Sequence, residues 1–258
     1  MEKYNLEKIK SVHHWNENLF SFKCTRKNNF KFKNGEFVLL SLIDKENKII
    51  YRAYSILSSN YDNYLEFLSI KIKNGIFTNI LKNLIVGDNI YISKKPSGTL
   101  IFENLLNKGK NLWLLSTGTG LSPFLSIIKN YELYKNYSTI ILIHSVNYKI
   151  NLSYRYYINN IFYKNIINFN KLNFIYYPIV TKEKFINNKR ITEIIKSKKI
   201  FYDTNLKDFN EFKDRIMICG NMSMLIDIKN ILQSFYNFYE FSSNQMGLFA
   251  TEKAFIEN

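Results

Sequence analysis

Residues 112–123, LWLLSTGTGLSP, decide the fold of the second half of the chain. The apolar run predicts a buried strand, Gly118-Thr119-Gly120 predicts a tight turn, and Pro123 fits the first turn of a following helix. In a dinucleotide-binding domain this order places a pyrophosphate against free N–H groups at the helix N-terminus. An ordinary tight turn between a strand and a helix is the alternative interpretation of these residues taken alone.

The rest of the second half repeats this alternation of strand-length apolar runs and helix-length amphipathic stretches. The predicted strands are Leu112–Ser116, Thr139–His144, Leu172–Val180 and Arg215–Cys219. The predicted helices are Ser122–Tyr134, Leu152–Phe162, Thr192–Lys196 and Ser223–Phe235. Such alternation is typical of a parallel sheet covered on both faces, so residues 104–258 are expected to form a doubly wound α/β domain. Gly247–Ile256 at its end is predicted to be a further strand.

Residues 1–103 have a different rhythm, with short β segments separated by turn residues. The six predicted strands are Tyr4–His14, Leu19–Arg26, Gly35–Ile43, Tyr51–Leu57, Tyr64–Ile72 and Asp88–Ser93. Strands at this spacing predict a small antiparallel β-barrel. A short helix is predicted over Thr78–Leu84, with Thr78 as its N-cap.

Length and composition limit the class of protein. The chain has 258 residues, 46% of them hydrophobic, which supplies enough apolar material for one large or two smaller domains and excludes a disordered chain. Its apolar runs are far shorter than the roughly 20 residues that cross a bilayer, and Met1–Lys10 does not resemble a secretory signal. We therefore expect a cytoplasmic protein without a membrane span.

The cysteine content and the net charge restrict the chemistry. Cys24 and Cys219 are the only cysteines and have no CxxC spacing, which excludes a disulfide scaffold, an iron–sulfur centre held by cysteines and a zinc finger. The formal charge of +15 is compatible with an acidic partner. It does not establish a nucleic-acid partner, because the cations are nearly all lysine in a chain biased towards lysine and asparagine, and only five are arginine.

Two more motifs are candidates for binding chemistry. Arg52-Ala53-Tyr54-Ser55 places a rare arginine on an apolar strand that is expected to be buried, where a phosphate suits its planar guanidinium. A surface arginine beside a core tyrosine is the alternative. Residues 217–224, MICGNMSM, place Cys219 at the carboxyl end of a parallel strand, where ligands bind in open α/β sheets. A small buried hydrophobe is the alternative for this cysteine.

These motifs, in this order, resemble one family. RAYS at 52–55, LEFLSIKIKNG at 65–75, GTGLSPFLS at 118–126, ICGNMSM at 218–224 and EKAFIE at 252–257 are similar to the ferredoxin/flavodoxin-NADP reductases, specifically their short bacterial subclass. The resemblance runs from Trp15 to Glu257. It implies a barrel that binds FAD, an α/β domain that binds NADP(H), and a reaction at their interface.

The resemblance also implies roles for individual residues toward FAD. In the RAYS strand, which includes Ala53, Arg52 would hold the pyrophosphate, Tyr54 would stack on the isoalloxazine and Ser55 would lie beside flavin N5. The further implied FAD contacts are Leu68, Ser69, Ile70, the backbone amides of Gly75, Ile76, Phe77 and Thr78, and the tail residues Ala254 and Phe255. Thr119 would touch both FAD and NADP(H).

For NADP(H) the resemblance implies Gly118, Gly120, Cys219 and Gly220 around the pyrophosphate and nicotinamide, with Ser55 and Cys219 as the catalytic residues. Asn147, Lys182 and Arg190 would surround the 2′-phosphate, and the family usually has arginine at the first two of these positions. This departure weakens bidentate phosphate binding. However, no acidic residue ends the strand 140–146, which favours NADP over NAD.

The implied reaction passes a hydride between NADPH and FAD, and single electrons between FAD and an acidic ferredoxin or flavodoxin, with the enzyme as a monomer. One alternative is an electron-transfer subunit of a larger flavoenzyme, but such relatives carry a C-terminal cysteine cluster that this sequence lacks. The other is a basic nucleic-acid-binding protein. Against it, the sequence contains no platform of aromatic residues and arginine for stacking bases.

Overall fold

The computed structural model describes residues 3–106, 109–162 and 173–254. Contacts between Cα atoms divide the chain into two compact units. The first comprises Met1–Ile101 and Ser122–Asn130, and the second comprises Phe102–Leu121 and Tyr131–Asn258. Each unit has its own hydrophobic core, built from the inward-facing residues of its sheet.

The segment Ser122–Asn130 belongs to the first unit because its side chains bind the main chain of that unit. Ser126 Oγ donates a hydrogen bond of 2.7 Å to the carbonyl of Ser58. The Lys129 ammonium donates a hydrogen bond of 3.2 Å to the carbonyl of Leu57, and burial lowers the pKa of this lysine. The two bonds replace water as partners of buried polar groups and fix the segment against the strand region that follows Ser55.

The first unit is the antiparallel half-barrel that the strand pattern predicted. Its strands are β1 (Tyr4–His14), β2 (Leu19–Thr25), β3 (Phe37–Ile43), β4 (Ile49–Ser55), β5 (Tyr64–Ile70) and β6 (Asn89–Ser93). They follow the order β4-β3-β6-β1-β2-β5, so β4 and β5 lie at the two edges of the sheet. Alternating apolar residues of these strands, such as Phe20, Phe22 and Leu40, face the core.

The helix of the first unit, α1 (Ile76–Lys82), begins two residues before the predicted start. Gly75 occupies the N-cap position, so the assignment of Thr78 as N-cap is wrong. The Thr78 hydroxyl accepts a hydrogen bond of 3.1 Å from the Ile72 amide and lies 3.3 Å from the Gly75 carbonyl, to which it donates. A threonine side chain that closes the preceding turn produces the same local sequence pattern as a capping threonine.

The second unit contains the predicted parallel α/β sheet. Its strands are β7 (Asn111–Thr117), β8 (Thr139–Val146), β9 (Asn173–Val180), β10 (Asp214–Gly220) and β11 (Phe249–Lys253), in the order β11-β10-β7-β8-β9. The helices after α1 are α2 (Leu121–Ile127), α3 (Leu133–Asn136), α4 (Ile191–Lys196), α5 (Lys199–Thr204) and α6 (Met222–Tyr236). Every residue of β8 and β10 is buried, which explains the apolar runs 140–143 and 216–219 within them.

Two helix predictions for residues 104–258 differ from the structure, and one helix there was not predicted. The stretch Ser122–Tyr134 is not one helix, because α2 ends at Ile127 and the chain tightens into turns before α3 begins. The stretch 152–162 contains a π-helical turn over Tyr157–Phe162. Helix α5 was not predicted, and it starts directly after Lys198, whose φ of 62° separates it from α4.

Among the described residues, no helix is both long enough and apolar enough to cross a membrane.

Candidate cofactor sites

Strand β4 is the exposed edge of the half-barrel. Four of its seven residues are exposed, including Tyr51 and Arg52, so the expectation that Arg52 lies on a buried strand is wrong. The Arg52 guanidinium donates one hydrogen bond of 2.8 Å, to the Tyr51 carbonyl, which leaves most of its five N–H groups directed to solvent. An edge strand that exposes apolar, aromatic and cationic groups together suits a planar anionic ligand.

Tyr54 joins three segments of the first unit that are far apart in the sequence. Its hydroxyl lies 2.8 Å from Ser69 Oγ, which links the edge strands β4 and β5. Its ring packs 5.9 Å from the ring of Phe77 at the start of α1. Burial raises the pKa of Tyr54 to about 12, although the hydrogen bond to Ser69 and the charge of Arg52 oppose this shift, so the phenol is neutral.

The structure therefore brings together the RAYS strand, the Leu68–Ile70 segment and the start of α1. Leu68 and Ser69 are buried and Ile70 is half-buried. At the start of α1 the first hydrogen bond of the helix is from the Asn79 amide to the Gly75 carbonyl. The amides of Ile76, Phe77 and Thr78 therefore have no partner within the helix, which is the arrangement that binds phosphate oxygens.

In the second unit the two Gly-rich turns pack directly against each other. A Cβ atom on Gly120 would lie 2.3 Å from the Cys219 carbonyl oxygen, and a Cβ on Gly220 would lie 2.1 Å from Thr117 Oγ1. Thr117 Oγ1 also accepts a hydrogen bond of 3.1 Å from the Asn221 amide. Only glycine allows this approach, so the turn after β7 and the turn after β10 form one backbone cradle.

Two further observations concern the same turns. Gly118 has a φ of 55°, a left-handed conformation that glycine adopts without strain. Thr119 is 8% exposed and Ser122 is 2% exposed, and among the described residues the Ser122 hydroxyl has no hydrogen-bond partner. A buried hydroxyl without a partner at this turn fits a bound polar group, because leaving it unsatisfied costs free energy.

Cys219 is fully buried at the end of β10. Burial raises the pKa of its thiol well above the usual value, and the charge of Glu252 acts in the same direction. The side chain is therefore a neutral thiol and not a thiolate nucleophile. Its place beside the nicotinamide stays a prediction, and any role there depends on its size and packing.

The predicted 2′-phosphate residues lie in the loops after β8 and β9. The Lys182 amide donates a hydrogen bond of 2.9 Å to the Asn147 carbonyl, and Thr181 Oγ1 donates to Asn147 Oδ1 over 3.3 Å. Lys182 and Arg190 are exposed, and Arg190 directly precedes α4. The structure thus joins Asn147 to Lys182 through the main chain and leaves both cations open to a ligand.

The sequence motifs gave no role to Arg155, and they offered His144 no triad partner. The guanidinium of Arg155 stacks over the ring of Phe185 at 5.7 Å, within the same loop region as Lys182. The scarcity of arginine in the chain was the available signal for it. His144 is buried below the Gly118 turn, where burial lowers its pKa to about 4 against an opposing contact with the Gly118 main chain, so it is neutral at pH 7.

The end of the described chain returns to the cradle. The Ala254 amide donates a hydrogen bond of 3.0 Å to the Gly220 carbonyl, which places this residue beside the turn after β10. The other tail residue of the predicted site, Phe255, lies outside the described residues. Strand β11 pairs in parallel with β10. Phe249 lies opposite Ile216 at one end of the pairing, and Lys253 lies opposite Gly220 at the other.

Known proteins resemble this chain in sequence and in fold. A family model described as an oxidoreductase FAD-binding domain matches residues 3–102. The chain is 41% identical over 262 residues to a ferredoxin–NADP reductase of Azotobacter vinelandii, covering 100% of both chains. It is 43% identical over 253 residues to a ferredoxin–NADP reductase of Pseudomonas aeruginosa, covering 97% of each. A crystal structure of a Neisseria gonorrhoeae ferredoxin NADP+ reductase with bound FAD and NADP superimposes with a TM-score of 0.86, at 30% identity over 98% of this chain and 99% of that chain.

Proposed function

The chain belongs to the ferredoxin/flavodoxin–NADP reductase family, and from this premise we propose how its own residues hold the two cofactors. It is an FAD-dependent oxidoreductase that uses NADP(H). When bound, FAD supplies the exchange between a two-electron hydride from NADPH and single electrons for a ferredoxin or flavodoxin. The protein contributes the binding, orientation and electrostatics that this exchange needs.

The assembly of three segments around Tyr54 is the observation that carries the FAD assignment. Arg52 binds the pyrophosphate through N–H groups that the fold leaves free, and the amides at the start of α1 bind the same phosphates. Tyr54 stacks on the isoalloxazine while Ser69 holds its hydroxyl. Ser55 would lie beside flavin N5.

NADP(H) binds over the backbone cradle of the second unit. Gly118, Thr119 and Gly120 let the pyrophosphate approach the main chain, while Cys219 and Gly220 lie beside the nicotinamide. Cys219 acts there as a neutral group of fixed size that positions the ring. Lys182 and Arg190, with Asn147 as a polar neighbour, bind the 2′-phosphate and give the preference for NADPH.

The partner is a ferredoxin or flavodoxin, and we propose that it is acidic. The formal charge of +15 supports this, because a basic surface accelerates and orients association with an acidic carrier. We also propose that the enzyme works as a monomer in the cytoplasm, where its two buried free cysteines stay reduced.

Flavin content and coenzyme choice test this proposal together. The purified protein should carry FAD, and stopped-flow mixing with NADPH should bleach the flavin absorbance much faster than mixing with NADH. Adding a ferredoxin or flavodoxin under anaerobic conditions should restore the absorbance, with a rate that falls steeply as salt is raised. A colourless protein, or equal reduction by the two coenzymes, would contradict the cofactor assignment. A rate independent of salt would contradict the acidic partner.

A further inference from the structure

The five arginines of this chain divide into two groups by what their guanidinium groups bind. Arg26 donates to the carbonyls of Phe30, Asn60 and Asp62, and Arg215 donates to the carbonyls of Leu106, Glu211 and Asp214. These two arginines hold the main chain. Arg52, Arg155 and Arg190 are exposed, and the first and last of these already have proposed phosphate partners. Arg155 is the arginine that remains to be explained.

The guanidinium of Arg155 contacts an aromatic ring. Its guanidinium stacks at 5.7 Å from the ring centre of Phe185, and none of its N–H groups has a hydrogen-bond partner among the described residues. Stacking uses the face of the guanidinium and leaves the N–H groups at its edge free. The edge of a stacked guanidinium is the geometry that binds a phosphate with two parallel hydrogen bonds.

The residues around Arg155 place it near strand β9. The preceding residue, Tyr154, is 9% exposed and has a φ of 58°, a left-handed conformation that is strained for a bulky residue. Burial raises the pKa of Tyr176, and the positive charge of Arg155 opposes this shift, so the guanidinium lies near β9. The Tyr176 hydroxyl in turn lies 3.3 Å from His144 Nδ1, and the His144 ring contacts the main chain of Gly118. Arg155 therefore connects to the same sheet edge as the coenzyme turn.

The loop that carries Phe185 is fixed at both of its ends. At its start, the Lys182 amide binds the Asn147 carbonyl, and the Glu183 carboxylate accepts from the Lys149 amide. Toward its end, Asn187 accepts a hydrogen bond of 2.9 Å from the Tyr177 hydroxyl. Phe185 packs against the small apolar cluster of Val146, Leu152 and Val180. The guanidinium of Arg155 thus stacks on the loop whose main chain is held at Lys182.

The electrostatics of this region favour an anion. Residues 147–155 and 181–190 contain six cations and one carboxylate. That carboxylate belongs to Glu183, which already accepts a main-chain hydrogen bond from Lys149. The cations of the region are Lys149, Arg155, Lys182, Lys184, Lys189 and Arg190. A site with this balance stabilises a phosphate dianion, because most of its positive charge is not neutralised within the loops.

We propose that Arg155 binds the 2′-phosphate of NADP(H) and supplies the planar, bidentate contact that Asn147 and Lys182 do not. This inference rests on the proposed function, which places the 2′-phosphate in these loops. Asn147 carries no charge, and Lys182 offers a point charge without the guanidinium geometry. Arg155 reaches the site from the helical turn that follows Leu152, and it restores a second arginine beside Arg190.

Nucleotide fragments separate this role from a structural one. The FAD-loaded enzyme is titrated calorimetrically with 2′-phospho-AMP and with 5′-AMP, which differ in the 2′-phosphate that only the first carries. Arg155→Ala should weaken binding of 2′-phospho-AMP about tenfold and leave 5′-AMP unchanged. Arg155→Lys should give an intermediate loss, because the charge stays and the planar contact goes. Lys196→Ala, which removes an exposed cation at the end of α4 and outside these two loops, serves as the control and should stay within about twofold of the parent enzyme.

Each contrary outcome has a separate meaning. If Arg155→Ala binds 2′-phospho-AMP as tightly as Lys196→Ala while Lys182→Ala and Arg190→Ala bind it weakly, Arg155 has no phosphate role and the proposed function stands. If Arg155→Ala weakens both nucleotides equally, the residue only supports the loop, and the inference is again wrong. If none of the three substitutions discriminates between the nucleotides, the 2′-phosphate lies elsewhere and the coenzyme part of the proposed function fails.

Discussion

The half-barrel and the α/β unit present their proposed site residues in opposite ways. In the half-barrel the residues lie along strands, with Arg52 and Tyr54 on the exposed edge strand β4 and Ser69 on the opposite edge strand β5. In the α/β unit strands β8 and β10 are buried along their whole length, so only the turns after the strands can reach a ligand. The first site depends on side chains, and the second depends largely on how closely two main-chain turns approach.

This difference explains why the residues of one site are contiguous in the sequence and those of the other are not. A site on one strand appears as a contiguous motif, because alternate side chains of four successive residues face the ligand and the core. A site built from turns is distributed over segments that are distant in the sequence. Its residues meet only because parallel strands end at the same edge of the sheet. Substitutions should therefore have different consequences in the two units.

The largest effect on stability is expected at the cradle of the α/β unit. Gly120→Ala places a Cβ atom 2.3 Å from the Cys219 carbonyl oxygen, and the main chain must shift to accept it. We expect it to lower the free energy of unfolding by about 3 kcal/mol in urea titrations. Gly118→Ala is the matched control, because its Cβ would meet no atom within 4 Å and only the left-handed conformation costs about 1 kcal/mol. Equal losses in the two variants would show that close approach does not govern this turn.

A smaller effect, visible only in acid, is expected from His144 beneath the same turn. Its pKa is about 4 in the folded protein against 6.5 in the unfolded chain, so the unfolded chain takes up a proton first as the pH falls. Stability is unaffected above pH 6.5 and falls between pH 6.5 and 4. Because the unfolded chain is protonated at His144 and the folded protein is not, the free energy of unfolding should fall by about 2 kcal/mol between pH 7 and pH 5.

His144→Gln isolates that contribution, since glutamine keeps a polar side chain and does not titrate. Urea titrations at pH 7 and pH 5 should give a smaller pH-dependent loss in the variant than in the parent protein, by about the same 2 kcal/mol. If the two proteins lose stability in parallel, then His144 is protonated in the folded state and is not shielded by burial.

The smallest effect is expected at the strand site, where a single side-chain hydrogen bond joins β4 to β5. Tyr54→Phe removes the hydroxyl that lies 2.8 Å from Ser69 Oγ and should lower the unfolding free energy by about 1 kcal/mol. Ser69→Ala should have a similar effect, and the double variant should lose less than the sum of the two. Because the aromatic ring remains, FAD should stay bound. Strictly additive losses would mean that the two residues do not interact.

The sequence was sufficient to predict the strands of both units. Periodicity is strong where one face of a strand is buried, as in β1, or where both faces are, as in β8, so their positions were predicted to within a few residues. The Gly-rich turns were also predictable, because close main-chain approach at Gly120 and Gly220 tolerates no other residue. These features depend on local geometry that leaves a direct mark on residue type.

Other features depend on tertiary contacts that leave a weaker mark. The exposure of Arg52 follows from the edge position of β4, which the apolar composition of the strand does not reveal. Attachment of Ser122–Asn130 to the first unit follows from the contacts of Ser126 and Lys129 with distant carbonyls. Arg155 went unnoticed because its partner, Phe185, is thirty residues away in a different loop.

The affinity of Arg52→Ala for FAD tests whether the exposed strand of the half-barrel holds the flavin cofactor. Apoprotein is titrated with FAD while flavin fluorescence is followed, for Arg52→Ala and for two control variants that each lose an exposed lysine. The controls are Lys48→Ala, next to the same strand, and Lys182→Ala, in the α/β unit.

We expect Arg52→Ala to raise the dissociation constant of FAD about 10- to 100-fold, because the variant loses a charge-assisted contact to the pyrophosphate. Lys48→Ala and Lys182→Ala should bind FAD as the parent protein does. If Arg52→Ala binds FAD as tightly as the two controls, the exposed strand does not hold the pyrophosphate and the assignment of the half-barrel site is wrong.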